Sequence, residues 1–201
     1  FRQFMQCDID ILGEESNLAE IELVLATTTL LSKLGFSDFK VKINERRILK
    51  AMASYAGFDE DKTDLVFVIL DKMDKIGFEG VKEDLIANGF EASTVEKYMS
   101  LFDEMAKNEG ASSVDNIDFL KGKLNGLLDD AVADNLKEIF ASVNAAKTAD
   151  FKLAFDPTLV RGMGYYTGTI FEIEMSELNC SVAGGGRYDK MIGKFTGNDT
   201  P

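Results

Sequence analysis

The residues best suited to chemistry surround an arginine in the run LVRGMGYYTGTIFE, residues 159–172. The side chain of Arg161 is a planar fork of hydrogen-bond donors that stays charged at any working pH. Such a fork suits a phosphate on which negative charge develops during a reaction. Gly162 and Gly164 relax the steric limits on the backbone, so the chain can turn sharply here or approach a ligand closely. The run therefore predicts a phosphate-handling turn, with an ordinary Arg-Gly turn before a strand as the alternative.

Two tyrosines follow the arginine, and a third lies in a second glycine-rich run further along the chain. In an extended segment, Tyr165 and Tyr166 point to opposite faces, so one can line a pocket while the other packs beneath a sheet. The second run, AGGGRYD at residues 183–189, places Tyr188 after three consecutive glycines. A strand-to-helix turn without a ligand is the alternative for this run. The pairing of the two runs is more specific than either run alone.

The opening segment, residues 4–13, alternates between polar and apolar side chains in the manner of a strand. Gln6, Asp8 and Asp10 would share one face of that strand, while Cys7, Ile9 and Ile11 would share the other. Three polar groups on one face need hydrogen-bond partners if the face is buried. The alternation therefore predicts either a polar binding surface or a solvated sheet face.

Taken together, the three segments resemble the histidyl-tRNA synthetase family, which belongs to the class II aminoacyl-tRNA synthetases. The resemblance covers nearly the whole chain, and its specific motifs lie in residues 1–13 and 159–189. It implies an α+β fold: part of the antiparallel class II sheet with flanking helices, interrupted by an all-helical insertion. The run at residues 39–49 is also similar to this family.

The resemblance also implies roles for individual residues. Phe4 would stack on the adenine of ATP, Gln6 would contact the amino or carboxylate end of histidine, and Asp10 would accept a hydrogen bond from the imidazole. Arg161 would act on the ATP phosphate as the catalytic residue. Further residues would complete the pocket: Tyr165, Tyr166 and Tyr188 as histidine-binding side chains, and Gly162, Gly184, Gly185 and Gly186 as backbone that approaches the ligand.

By the same resemblance, the parent protein would be a ligase that joins L-histidine to its tRNA through a histidyl-adenylate. It would use ATP with Mg²⁺, hold no prosthetic group and no metal site in this chain, and act as a cytoplasmic homodimer. We expect the chain to be an internal part of that protein and to be inactive alone, because the family's motif 1, half of motif 2 and motif 3 would lie outside it. The alternative is the synthetase-like regulatory subunit of ATP phosphoribosyltransferase, a non-catalytic histidine-sensing protein.

The composition agrees with a folded domain and removes some kinds of chemistry. Hydrophobic residues make up 45% of the chain and there are only 2 prolines, which argues against disorder. The absence of histidine excludes Ser-His and Cys-His catalysis and histidine-based zinc sites within these 201 residues. Cys7 and Cys180 lie in strand-like runs, so we predict reduced core thiols. No apolar run approaches the length of a membrane span.

The hydrophobic periodicity changes twice along the chain and divides it into three parts. Residues 1–57 and 150–201 alternate in the manner of strands with short helices between them, whereas residues 58–149 follow helical spacing throughout. We therefore interpret these parts as the first and second portions of a catalytic core with a helical insertion domain between them.

Individual elements follow from the same patterns. Helices are predicted at residues 17–34, 45–56, 62–73, 80–87, 93–107, 116–128 and 130–145, and strands at 38–44, 151–155, 167–175 and 179–183. A last helix is predicted to begin near Arg187 or Tyr188. Capping boxes are predicted at Asn17 with Glu20 and at Ser93 with Glu96.

The charge distribution is unusual for a chain expected to meet RNA. The formal net charge is -13, and every arginine lies outside residues 58–149. Phosphate binding normally requires a basic face. The lysines of the insertion could form such a face only by clustering in three dimensions.

Overall fold

A four-stranded sheet with the order β2-β1-β3-β4 carries the sequence runs singled out above. The computed structural model describes residues 1–108, 110–161, 164–178, 180–198 and 200–201. Its strands are β1 (Phe39–Glu45), β2 (Lys152–Phe155), β3 (Thr169–Met175) and β4 (Cys180–Gly186). Its helices are α1 (Leu18–Lys33), α2 (Arg46–Ala56), α3 (Thr63–Leu70), α4 (Met73–Ala87), α5 (Ala92–Lys107), α6 (Ser113–Lys123), α7 (Asp130–Ala146) and α8 (Gly193–Thr196).

Two of the three strand pairs of the described sheet are antiparallel, as expected for part of the class II sheet, and one pair is parallel. β3 runs antiparallel to both β1 and β4, with an irregularity between Ile173 and Glu174, whereas β2 runs parallel to β1. Parallel neighbours need a long crossover. The chain between β1 and β2 supplies one, because it contains helices α2 to α7.

Alternation along β1 gives the sheet one apolar and one polar face. Phe39, Val41 and Ile43 are buried, while Lys42 lies on the other face and forms ion pairs with Glu174 at 3.0 Å and with Asp156 at 3.4 Å. Burial lowers the pKa of Lys42, but the hydrogen bond to Glu174 and the two carboxylate charges outweigh it and raise the pKa overall. The polar face of the sheet is therefore lined by paired charges, and Glu172 of β3 lies opposite Lys42 on it.

The helices flanking β1 confirm the predictions, but the predicted cap at Asn17 is wrong. The Asn17 amide makes no capping bond and instead donates at 3.0 Å to both Asn135 and Glu138 of α7. Glu20 accepts from Arg187 rather than from the helix end. Both side chains therefore bond to residues distant in sequence instead of capping α1. α2 ends at Gly57, whose φ of 104° is left-handed.

Five α-helices, α3 to α7, lie in the described part of residues 58–149, as predicted but with shifted boundaries, and a short 3-10 helix at Glu60–Lys62 precedes them. α4 begins at Met73 rather than at the predicted residue 80. Its helical backbone is broken at Gly77, where φ is 70°. α6 likewise begins earlier, because Ser112 and Asp115 form a reciprocal capping box there. The box predicted at Ser93 is wrong, since α5 begins one residue before it and has no side-chain cap.

The helical segment shares one hydrophobic cluster with the sheet. The predicted apolar stripe of α7 is buried throughout: Val132, Leu136, Ile139, Phe140 and Val143. Within the described residues, no helix is long and apolar enough to cross a membrane.

Three further predictions are wrong: those for the opening segment, for the two cysteines and for the start of the last helix. Residues 1–16 form no strand, because a strand requires a neighbour and alternation alone cannot provide one. Both cysteines are exposed: Cys7 lies in this irregular segment, and Cys180 is the first residue of β4 at the sheet edge. After β4 the chain turns, and the short helix α8 begins only at Gly193.

The left-handed end of α2 yields a matched pair of stability predictions. Gly57→Ala should lower the free energy of unfolding by about 1–2 kcal/mol, because an alanine Cβ disfavours positive φ, although it would meet no atom closer than 3.9 Å. Gly122→Ala lies inside α6 in open space, so it should raise stability by about 0.5–1 kcal/mol. Urea unfolding measures both; equal and same-signed changes would contradict the backbone argument.

Candidate active site

Arg161 lies against the polar face of the sheet in an unusual backbone conformation. Its φ is 55°, a left-handed value that costs a non-glycine residue roughly 1–2 kcal/mol. Its guanidinium donates to Glu172 at 3.1 Å, and both side chains are about four-fifths buried. Gly184 of β4 lies opposite Glu172, and a Cβ at Gly184 would overlap the guanidinium. The glycine therefore makes the space in which the Arg161–Glu172 pair sits.

Tyr165 and Tyr166 contact each other, so the prediction that they point to opposite faces is wrong. Their ring centroids are 4.7 Å apart, because Tyr165 sits in a turn rather than in an extended segment. Tyr166 is buried, whereas Tyr165 is 38% exposed. Burial and a hydrogen bond with Tyr165 raise the pKa of Tyr166, while the charge of Arg161 and a hydrogen bond with it act in the opposite sense.

Tyr188 links this group to the opening segment. Its hydroxyl donates to Asp10 at 2.5 Å, and its ring meets that of Tyr165 edge-on at 6.5 Å between centroids. Burial and the bond to the Asp10 carboxylate raise the pKa of Tyr188 to about 12. A continuous series of contacts thus joins five of the predicted site residues: Arg161, Tyr166, Tyr165, Tyr188 and Asp10.

The glycine run of β4 makes room for side chains of this chain. A Cβ at Gly185 would meet the Phe171 ring at 3.1 Å on one face of the sheet. A Cβ at Gly186 would meet the Tyr166 ring at 2.9 Å. Together with Gly184 beneath Arg161, the run therefore lets three large side chains lie directly on the backbone of β4.

The remaining predicted residues are not brought into this group. Phe4 is 84% exposed, and Gln6 is exposed with a hydrogen bond of 3.5 Å to its neighbour Asp8. Both belong to the irregular opening segment, where no neighbouring strand orients them. Gly162 lies outside the described residues.

A second cluster, centred on Arg187, was not anticipated as part of the site. Its guanidinium donates to Asp189 at 2.7 Å and to the buried carboxylate of Glu20 at 3.0 Å. Burial lowers the pKa of Arg187, but these two carboxylates outweigh it and raise the pKa overall. A cleft of about 440 Å³ opens beside the cluster and reaches Arg47 and Asn135.

The sequence contains a local pattern that indicates Glu172, the partner of Arg161, but none that indicates Glu20, the partner of Arg187. Glu172 could have been found from the alternation of β3, which puts it on the polar face shortly after Arg161. Glu20 could not, because its partner lies 167 residues away. Within the described residues, no group of three or more His, Cys, Asp and Glu side chains is arranged to hold a metal ion.

The group from Arg161 to Asp10 offers complementary chemistry at its two ends. One end is a cationic fork partly neutralised by Glu172, and the other is a carboxylate held by a phenol. A cationic fork suits a phosphate or carboxylate, whereas a carboxylate can accept from a ligand N–H donor. The arrangement can therefore bind a small molecule that carries both an anionic group and an N–H donor.

Comparison with known proteins gives a consistent result. The family model described as histidyl-tRNA synthetase matches residues 1–201. A histidine–tRNA ligase from Leifsonia xyli subsp. xyli is 42% identical over 201 residues, which are 100% of this chain and 46% of that protein. A histidine–tRNA ligase from Korarchaeum cryptofilum is 35% identical over 208 residues, covering 100% of this chain and 44% of that protein. The chain therefore spans about half the length of the curated relatives it matches.

Solved structures agree on the fold. A histidyl-tRNA synthetase from Nostoc sp. PCC 7120 superposes with a TM-score of 0.80 at 23% identity, over 96% of this chain and 45% of that one. A protein from Bacillus halodurans C, described as an ATP phosphoribosyltransferase regulatory subunit/histidyl-tRNA synthetase, gives 0.72 at 21% identity, over 94% of this chain and 47% of that one. The match of the family model to the entire chain, together with relatives of up to 42% identity, establishes that the chain belongs to the histidyl-tRNA synthetase family.

Proposed function

We propose that the whole protein containing this chain is a histidine–tRNA ligase, which activates L-histidine with ATP and transfers it to histidine-specific tRNA. The observation that carries the proposal is the contact series from Arg161 to Asp10 in a chain of this family. The series joins a guanidinium fork that suits a phosphate to a carboxylate that can accept from an N–H donor, and activation of histidine would use both.

Histidine recognition is assigned to the Asp10 end of the group. The Asp10 carboxylate would accept a hydrogen bond from the imidazole while Tyr188 holds it in place. Tyr165 and Tyr166 would supply the aromatic walls, and Gln6 would contact the amino or carboxylate end of the ligand. A side chain of similar size without an N–H donor would leave the carboxylate unpaired, which is a strong basis for discrimination.

Activation is assigned to the Arg161 end. A carboxylate oxygen of histidine would attack the α-phosphorus of ATP, the new P–O bond would form, and the bond to pyrophosphate would break. No protein base is needed, so the protein contributes positioning and stabilisation of the charge on the phosphate. Arg161 would provide that stabilisation, with ATP entering as its Mg²⁺ complex and Phe4 stacking on the adenine.

The backbone of the glycine-rich segments is assigned to the same pocket. We propose that Gly184, Gly185 and Gly186 of β4, together with Gly162, keep the pocket floor close to the ligand. In the structure the first three carry the side chains of Arg161, Phe171 and Tyr166 on their backbone, so their contribution to the pocket would be the placement of those side chains.

We propose that residues 58–149 form an insertion domain between two parts of a catalytic core. The tRNA would contact this domain. Most of its lysines form ion pairs in the described structure: Lys62–Asp59, Lys72–Asp84, Lys82–Glu96, Lys107–Asp103, Lys121–Asp134, Lys123–Glu104 and Lys137–Asp118. Contacts to RNA there would therefore use backbone amides and helix N-termini more than a basic face. We further propose that the protein is a cytoplasmic homodimer.

A second candidate function is that of a non-catalytic, histidine-sensing regulatory subunit, and the fold match to the Bacillus halodurans protein favours it. Such a protein has no requirement for a phosphate-binding arginine. Arg161 is present and paired in its space above Gly184, and the helical segment is long, which favours the ligase. Histidine binding without histidine-dependent pyrophosphate release would favour the regulatory subunit.

Replacing Arg161 tests the activation step. Arg161→Ala in the whole protein should slow adenylate formation by about 10²–10³, the usual effect of losing one donor that stabilises a developing oxyanion. Arg161→Lys should recover little, because a point charge does not reproduce the fork. Transfer from preformed adenylate should suffer less. Rapid-quench measurement separates the two half-reactions; unchanged adenylate formation in Arg161→Ala would reject the role assigned to Arg161.

Replacing Asp10 tests the recognition of histidine. Asp10→Ala should raise the KM for histidine roughly ten- to hundredfold, because the imidazole N–H loses its acceptor at a cost of about 1–3 kcal/mol. The KM for ATP should barely change. Asp150→Ala is the matched control, since Asp150 is an exposed aspartate outside the contact series. Equal losses for both substrates in a folded Asp10→Ala protein would make Asp10 structural.

The 201-residue chain alone should not activate histidine. It spans 46% of the Leifsonia xyli relative, and we propose that other ATP contacts lie in the remainder. Positioning of reactants accounts for roughly 7–11 kcal/mol of a barrier in favourable cases. Histidine-dependent ATP–pyrophosphate exchange is the assay, and exchange at a normal enzymatic rate by this chain would refute the expectation.

A further inference from the structure

Glu172 holds the guanidinium of Arg161, although the chemistry assigned above gives this glutamate no part. Its Oε2 accepts from the Arg161 Nη1 at 3.1 Å on the polar face of β3. Both side chains are about four-fifths buried, so solvent screens this ion pair less than a pair on the surface. Gly184 lies opposite Glu172, and the guanidinium occupies the space that a Cβ there would fill. The carboxylate and the glycine together therefore set where the guanidinium lies.

The main chain before Arg161 is anchored independently. The Asn44 amide, which is completely buried in β1, donates to the Leu159 carbonyl at 2.9 Å, and Val160 is also buried. Arg161 then adopts a φ of 55°, and a residue other than glycine keeps so sparsely populated a conformation only where its surroundings fix it. Asn44 fixes the main chain that leads into Arg161, and Glu172 fixes the far end of the side chain.

Tyr166 makes a second contact with the guanidinium. Burial raises the pKa of Tyr166, and a hydrogen bond with Arg161 acts in the opposite sense. The Tyr166 ring in turn packs against Gly186 of β4. Because this contact remains when Glu172 is removed, the loss of the carboxylate should displace the guanidinium without freeing it entirely.

We propose that Glu172 is a positioning residue that holds the Arg161 fork in place for the reaction at the α-phosphate of ATP. A long side chain that is already fixed when ATP binds loses less conformational freedom, and it stabilises the developing charge without rearrangement. The carboxylate also has an opposing effect, because a negative charge beside the guanidinium weakens its attraction for a phosphate. Positioning and competition therefore predict opposite signs when the carboxylate is removed. The catalytic consequence rests on the proposed function; the hold on Arg161 does not.

Crystal structures of the whole protein without substrates measure the hold directly. In the wild type, the Arg161 Nη1 should lie within hydrogen-bond distance of the Glu172 carboxylate. In Glu172→Ala, the guanidinium should leave its place over Gly184 or occupy several conformations. Glu174→Ala is the matched control, because Glu174 lies on the same face of β3 but pairs with Lys42 at 3.0 Å. The control should leave Arg161 in place.

Rapid-quench kinetics of the whole protein measure the catalytic consequence. Glu172→Ala should slow adenylate formation roughly tenfold at saturating histidine and ATP, about the effect of losing one hydrogen bond to a charged group. The KM for histidine should stay unchanged, because the hydrogen bond between Tyr188 and Asp10 is not altered. Glu172→Gln should recover most of the rate, since the amide oxygen can accept from the guanidinium in the same place. Glu174→Ala should form adenylate at the wild-type rate.

Two further variants separate positioning from a general structural effect. In an Arg161→Ala background, Glu172→Ala should cause no further loss, because the two residues act through one contact. Gly184→Ala keeps the carboxylate but places a Cβ where the guanidinium lies, so it should reproduce the loss seen in Glu172→Ala. Gly184→Ala also serves as the test if Glu172→Ala does not fold, and thermal unfolding of each variant identifies global destabilisation.

The outcomes separate this inference from the proposed function. A displaced guanidinium with slower adenylate formation, both absent in Glu174→Ala, supports the positioning role. An unmoved guanidinium overturns it, as does adenylate formation that is unchanged or faster without the carboxylate, or a loss of equal size in the Arg161→Ala background. A wild-type protein that forms no histidyl-adenylate rejects the proposed function, and the crystal structures alone then decide whether Glu172 holds Arg161.

Discussion

The register in which Glu172 of β3 lies opposite residues of β1 and β4 is the constraint on which the candidate site depends. It places Glu172 between Lys42 on one side and Gly184 on the other. Because Gly184 has no side chain, the guanidinium of Arg161 can lie on the strand and reach Glu172. A shift by one residue would exchange the faces of the sheet and put Phe171 where the charged pair now sits.

From that register the rest of the group follows by contact. Tyr166 packs on Gly186, Tyr165 packs on Tyr166, and Tyr188 reaches Asp10. The polar end of the group belongs to the opening segment, which the Tyr188–Asp10 hydrogen bond joins to the residues that follow β4.

The sequence predicted the parts of this structure that local patterns encode. Alternation located β1 and β3, and helical periodicity identified the buried stripe of α7. The motif resemblance selected residues of which five are joined by a series of contacts. Local patterns could not show that residues 1–16 lack a partner strand, that β2 pairs in parallel with β1, or that Glu20 would leave its cap for Arg187. Each of these depends on a partner far away in the chain.

The central claim is that the contact series from Arg161 to Asp10 binds histidine. Its most direct test is an NMR titration of the whole protein, with tyrosine rings ¹³C-labelled and resonances assigned through Tyr→Phe variants. L-Histidine should shift the Tyr188 and Tyr166 signals saturably, while the signal of Tyr98, buried in the helical segment, should stay in place. Saturable histidine binding that leaves both Tyr188 and Tyr166 unmoved would contradict the account.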